Sequence, residues 1–416
     1  MSRWRVLIFA AAATLIGSML VAVGVLGHVA FQRITGAGDT SGGARQVAAK
    51  PIDVALLGEV ISILKQDFVE ADRIDSEVML QGAIEGVFKQ LNDPHSTYIS
   101  PEDYALSRGD FSGTFQGIGA TIQQVGDYVV IQRPLPGTPA EKAGLKAGDQ
   151  LLAVDGEDSK GWSVQKTVTR IRGRRGTTVE LQIRHPDGKQ ESYKIVRDEV
   201  LVASVDGSTV IKDATGAEVT DLGYIRIRMF TARSPKELQD AVQAAVAKGA
   251  KGLILDVRQN PGGLLKETAE IADFFLDRGT IVSQVDRDGK RQSASAAAGQ
   301  ISTLPIVVVQ DEASASGSEV LAAALQQNGR AAVVGTRSFG KGTVNHLRDL
   351  SNGGAVYVSI ARWLTPGGDQ IEGRGVTPDY PVTATPEDIE ARRDVTVFRA
   401  IDLLRSGQSV PRTASR

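Results

Sequence analysis

The chain has 416 residues, enough for two or three domains, and a formal net charge of -2 from 47 basic and 49 acidic residues. That balance gives no global pull toward nucleic acid, and no nucleic-acid partner is expected. Cysteine is absent, which excludes thiol nucleophiles, cysteine-ligated metals and disulfides, and the four histidines (His28, His95, His185, His346) are too few for a histidine-rich metal centre.

From Val6 to Phe31 no charged residue interrupts the apolar run. As a helix it would reach about 39 Å, more than the ~30 Å hydrocarbon core of a bilayer. Residues 1–35 are therefore predicted to be a membrane anchor or signal segment, with 6–31 in the bilayer. Arg3 and Arg5 on its amino side are expected to hold that end in the cytoplasm, so that the rest is exported. The length favours an uncleaved anchor, while GHVA keeps cleavage open. Residues 36–51, rich in Gly, Ser and Ala, read as a flexible linker.

Over 52–91, apolar residues spaced by three and four predict two amphipathic helices. This helical region, 52–105, ends in NDPHSTYISPEDY, where Pro94 and Pro101 break the pattern. Between 106 and 196, short strand-like runs alternate with Gly and Asp turns, a β-rich module with one helix in SVQKTVTRIRG. From 197 to 385, strands such as GLILDV, LPIVVVQ and AAVVG alternate with helical patterns, predicting an α/β domain with buried, largely parallel strands. Residues 386–416 hold a helix, DVTVFRAIDLL, and a polar tail.

The chemistry concentrates in three stretches. In SASGSEV, Ser314, Ser316 and Ser318 follow the strand LPIVVVQ. Ser316 falls where the strand gives way to a helix, whose free N–H groups stabilise developing negative charge. The same pattern fits a simple N-cap with Glu319 as a first-turn acid. A nucleophilic serine needs a base, and downstream stand His346 and Lys341. Lys341, between Gly340 and Gly342, must be neutral to serve, so burial would have to bring its pKa from ~10.4 to about 7 to 8; otherwise it is a solvated loop lysine. In LDVRQNPGGLL the backbone N–H of Gly262 can pair with that of Gly317 as an oxyanion hole, and Asp256 with Arg258 reads as a structural ion pair.

Together these stretches, with GYIRIRMF, VSIARWLTPGGDQIEGRGVTPD and LNDPHSTYISPEDY, resemble the carboxyl-terminal processing (tail-specific) serine proteases, in family order over about residues 55–382. The resemblance implies a multidomain α/β fold: a crotonase/Clp-protease-like β-spiral core with an inserted PDZ domain and N-terminal helices. It makes Ser316 the nucleophile, Lys341 the base, and Gly262 and Gly317 the oxyanion donors, with Ser314 and Ser318 left to packing or capping. It identifies GTFQGIGATI as a carboxylate-binding loop, in which Gly117, Ile118 and Gly119 would hold a substrate's terminal carboxylate while its tail adds as a strand.

Two departures stand out. Gly317 replaces the family's alanine after the nucleophile, and Asn345 stands where many members carry a glutamine that orients the lysine. The third member of the triad is thus open between Asn345, Gln327 and a water. The implied function is a serine endopeptidase of the bacterial cell envelope, on the periplasmic or extracytoplasmic side. It would act on exported proteins with exposed apolar C-termini, without metal or cofactor, as a homo-oligomer of which a dimer is the simplest form, with a regulatory partner left open. The rival readings are an inactive PDZ scaffold that binds C-termini and an acyl-CoA enzyme on a related fold.

Overall fold

The computed structural model describes residues 52–101, 103–104 and 113–409. The predicted membrane segment, the linker and the end of the tail lie outside the described residues. Among the described residues no helix is long and apolar enough to cross a membrane.

Six strands form the main sheet of the core, in the order Val205–Asp206, Gly223–Ile227, Leu253–Asp256, Ile306–Gln310, Ala331–Gly335, Tyr380–Pro381. All pairs after the first are parallel. Runs such as IVVVQ and AAVVG are buried at every position, as strands covered on both faces must be. Helices Ser234–Ala247, Leu265–Asp273 and Gly317–Gln327 cover one face, with Leu255, Val308 and Val333 beneath them. Helix Val395–Arg405 covers the other through Val397, Ile401 and Leu404, against Ile254, Val307 and Val334. The C-terminal helix is thus a layer of the core rather than an appendage.

A second sheet departs from the sequence expectation of parallel strands. It is antiparallel and joins Thr97–Ile99, Ala355–Leu364, Thr280–Asp286 and Arg291–Ser295, with Thr343–Asp349 also pairing to Ala355–Leu364. Its first strand comes from the predicted N-terminal helical region. Tyr104 Oη donates to Asp349 Oδ1 at 2.5 Å and Ser359 N donates to Ser96 Oγ at 3.0 Å, so the segment after the helices is part of the core.

The inserted module is a six-strand antiparallel sheet (Ala120–Val125, Tyr128–Pro134, Gln150–Val154, Thr178–Arg184, Gln190–Val196, with the short Glu157–Asp158 pairing to Gln150–Val154) closed by helix Val164–Ile171 around Ile131, Leu151, Leu181 and Ile183. A two-strand stem, Thr114–Gly117 with Asp198–Leu201, connects it to the core. Both predicted N-terminal helices form, as Val54–Asp67 and Ser76–Leu91, capped by Asp53 and Asp75 side chains, and neither has a buried residue.

Candidate active site

Ser316 ends the turn between strand Ile306–Gln310 and helix Gly317–Gln327 with φ 52° and ψ -111°. A left-handed φ in a residue with a Cβ is costly and persists only where surrounding contacts hold it. Here they are explicit. Ser314 Oγ donates to Val257 O at 2.8 Å and Ser318 Oγ to Asn260 O at 2.9 Å, tying the serine turn to the NPGG loop on both sides.

Glu319, whose first-turn position reads as ordinary capping in the sequence, has a larger part. It is fully buried and accepts four hydrogen bonds: from Ser316 N at 2.7 Å, Lys341 N at 2.9 Å, and Ser338 Oγ and Gly340 N at 2.6 Å each. One carboxylate therefore joins the serine turn to the lysine loop. Burial pushes its pKa above the ordinary carboxyl value, while these four donors oppose the shift.

Lys341 is 1% exposed and lines the same cavity as Ser316. Its Nζ lies 3.5 Å from Tyr357 Oη and 5.3 Å from the Tyr357 ring centre. Burial lowers its pKa to about 8, against the opposing charges of Glu372, Asp93 and Glu319. His346, the other candidate base, is on strand Thr343–Asp349 between inward-facing Asn345 and Leu347 and does not line the cavity.

Three sequence expectations need correction. Asn345 does not orient Lys341: its Nδ2 donates to His95 O at 2.7 Å and Ser359 Oγ at 3.1 Å, and its Oδ1 accepts from Thr343 Oγ1 at 3.0 Å. Nor does Gln327, an exposed residue whose Oε1 accepts from Gly367 N at 2.8 Å. The third concerns the oxyanion loop, where Gly262 N is already committed to Asn260 Oδ1 at 2.8 Å.

Gly263 is the better donor. It bridges Phe230 in parallel fashion, with Phe230 N donating to Gly262 O and Leu264 N to Phe230 O, so its own N–H points the other way. The N–H groups of Gly263 and Gly317 have no partner among the described residues, and both glycines line the cavity beside Ser316. A side chain at Gly263 would run into Phe230 O at 2.1 Å. The absence of alanine at Gly317 also has a local cause, since a Cβ there would meet Thr268 Oγ1 at 2.7 Å and Phe230 at 3.0 Å.

The surrounding ion pairs are structural. Arg258 binds Asp256 at 2.7 Å and Asp394 at 2.8 Å, and Tyr224 Oη donates to Asp256 Oδ2 at 2.5 Å, anchoring the NPGG loop to the C-terminal helix. His95 and Glu372 are unassigned by sequence reasoning: His95 Nε2 meets Glu372 Oε1 at 2.8 Å, while Glu372 Oε2 accepts from Gly342 N at 2.7 Å and so fixes the residue after Lys341. Among the described residues no cluster of His, Asp and Glu could hold a metal ion.

Gly117, Ile118 and Gly119 line a groove of about 800 Å3 together with strand Ala120–Val125 and Val168 and Ile171 of the helix, and its other wall comes from Leu201, Val205 and Arg228 of the stem and core. The N–H groups of Ile118 and Gly119 have no partner among the described residues. Gly119 has φ 79°, and a Cβ there would lie 2.5 Å from Thr138. Strand Ala120–Val125 is a sheet edge, free to pair with an extended peptide.

Residues 221–382 match the profile of Peptidase family S41 and residues 110–184 that of the PDZ domain. Carboxy-terminal processing protease CtpA of Bacillus subtilis (strain 168) is 34% identical over 323 residues, covering 77% of this chain and 67% of that protein. The carboxyl-terminal-processing protease of Picosynechococcus sp. is 36% identical over 326 residues, covering 77% and 78%. A crystal structure of a putative S41 protease from Bacteroides fragilis is similar in fold alone, with TM-score 0.53 at 16% identity over 87% of this chain and 99% of that one.

Proposed function

Because this chain belongs to the carboxyl-terminal processing proteases of peptidase family S41 and carries their PDZ domain, we propose that it cleaves peptide bonds with Ser316 as nucleophile and Lys341 as base, on substrates held by their C-terminal tails. The observation that carries this reading is the shared cavity: a strained serine, a buried lysine with its pKa lowered to about 8, and two free N–H groups meet in it.

Neutral Lys341 Nζ takes the hydroxyl proton as Ser316 Oγ bonds to the substrate carbonyl carbon. The carbonyl oxygen gains the negative charge and accepts from Gly263 and Gly317 N–H, at a helix N-terminus that favours it. Lys341 passes the proton to the amine nitrogen as the C–N bond breaks. Water then attacks the ester on Ser316, giving a proton to Lys341, which returns it to Ser316 Oγ. Desolvation tunes the lysine, and Glu372 and Glu319 hold the backbone on either side of it.

The PDZ groove supports tail recognition. A free carboxylate fits the N–H groups of Ile118 and Gly119, and the apolar wall formed by Ile122, Val168 and Ile171 suits apolar tail residues. The experiment compares one unfolded substrate with a free and an amidated C-terminus, using protein that lacks residues 1–35. Amidation is expected to lower kcat/KM about tenfold or more, the effect of losing a charge-assisted carboxylate contact. Equal cleavage of both would remove the tail-recognition part. Tail binding without any cleavage would favour a scaffold.

The exposed apolar faces of the two N-terminal helices, with Val54, Leu57, Val60 and Ile63 on the first, are proposed to pair with a second copy. Sedimentation of residues 52–416 at micromolar concentration is expected to show a dimer, and Val60→Glu with Ile63→Glu a monomer; a monomer before substitution removes this proposal. The apolar run 6–31 and the arginines before it support a place in the cell envelope, with the folded part on the extracytoplasmic side of the inner membrane.

A further inference from the structure

Gln284 stands on strand Thr280–Asp286 directly opposite Trp363 of the neighbouring strand. Residues paired across a ladder present their side chains to the same face, and Trp363, 1% exposed, lines the cavity that holds Ser316. Gln284 lines that cavity too. It is 8% exposed, yet its amide has no hydrogen-bond partner among the described residues.

The neighbouring polar side chains are engaged. Asn345 and Thr343 bond each other, and Asn345 also bonds His95 and Ser359. Apart from Ser316, Lys341 and the two glycines, the remaining wall is apolar, formed by Leu264, Leu265, Val320, Val344, Ile360 and Trp363. The residue as a whole is buried, but its amide reaches the open space of the cavity rather than being sealed within the wall. A glutamine in this position is set to bond what enters.

The entering group follows from the site's geometry. With the acyl oxygen on Gly263 and Gly317 N–H and the carbonyl carbon at Ser316 Oγ, the nearest side chain belongs to the residue just before the scissile bond. The cavity as a whole is small, about 40 Å3, and open to solvent on one side, which suits a short side chain. We infer that Gln284 selects a short hydroxyl-bearing residue, threonine or serine, immediately before the bond that is cut. This inference rests on the proposed Ser316 protease reading.

Threonine and valine have nearly the same shape, so substrates differing only in that residue isolate the hydroxyl. Wild-type protein lacking residues 1–35 is expected to show kcat/KM for threonine over valine on the order of tenfold, the effect of one hydrogen bond to an otherwise unpaired group. Gln284→Leu is expected to invert the order, and Gln284→Glu, which keeps an acceptor, to retain it. A structural role alone would change both substrates equally and leave the ratio unmoved. That result, or a wild-type preference for valine, overturns the inference.

Ser316→Ala in parallel separates the two readings. Cleavage that survives it indicts the protease assignment, whereas Ser316-dependent cleavage with no threonine preference indicts Gln284 alone. The Kd of amidated threonine and valine peptides on Ser316→Ala protein gives the ratio without turnover or the carboxylate contact, and equal values again overturn the inference.

Discussion

Lys341→Met should be inactive and, at neutral pH, more stable than the wild type. Loss of the base, like loss of the nucleophile in Ser316→Ala, is expected to lower kcat by at least about 1,000-fold, because members of such a unit do not act singly. The stability gain follows from the same burial that tunes the base. The folded-state pKa of about 8 lies below the ordinary value of 10.5. Between those values the unfolded chain holds a proton that the folded chain has shed, so stability rises with pH across the window. Below about pH 8 the penalty is present in full, roughly 3 kcal/mol from that displacement.

Methionine fills similar volume without the charge. Urea midpoints should therefore favour Lys341→Met near pH 7, with the gap closing toward about pH 10. The logarithm of wild-type kcat/KM should rise with unit slope below about pH 8 and level off above it, as Lys341 loses its proton. A rate profile flat across that range, or a variant less stable than wild type at neutral pH, would contradict the buried-base reading.

The second large effect belongs to Glu319. Its two oxygens accept from three backbone N–H groups and Ser338 Oγ in a site without solvent. Glu319→Gln replaces one acceptor oxygen with an NH2 that faces donors, and Glu319→Ala leaves all four donors unpaired. Both are expected to cost about 3 to 5 kcal/mol of stability, as when one side of a buried charged network is removed.

They should also cost about 100-fold or more in kcat, since a displacement of about 1 Å at a catalytic group has that effect. Chemical denaturation and steady-state kinetics on substrate with a free tail measure both. If Glu319→Gln kept activity within about threefold of wild type, the carboxylate would not be what aligns serine and lysine.

How much of this was legible beforehand depended on the range of the interactions. The parallel sheet could be read because LPIVVVQ and AAVVG are unbroken apolar runs, the signature of strands covered on both faces. The antiparallel sheet could not: Thr97–Ile99, Thr280–Asp286 and Ala355–Leu364 are far apart in sequence, and nothing local in any of them names its partner. Asn345 shows the same limit at the site. Its place four residues after Lys341 suggests contact, but the strand has a register shift between Val344 and Asn345. A bulge re-aims the side chains that follow it, and this amide meets His95 O instead.

By itself the sequence determined where helices and strands alternate, because periodicity and turn residues act over a few residues, while the serine, the lysine and the glycine loops of the proposed chemistry came from the resemblance of its motifs to a protease family. Only the tertiary structure decided which glycine keeps a free N–H, what aligns the lysine loop, how far its pKa falls and which amide remains unpaired at the cavity wall. Those properties depend on hydrogen-bond direction and burial, set by segments that meet only once the chain has folded.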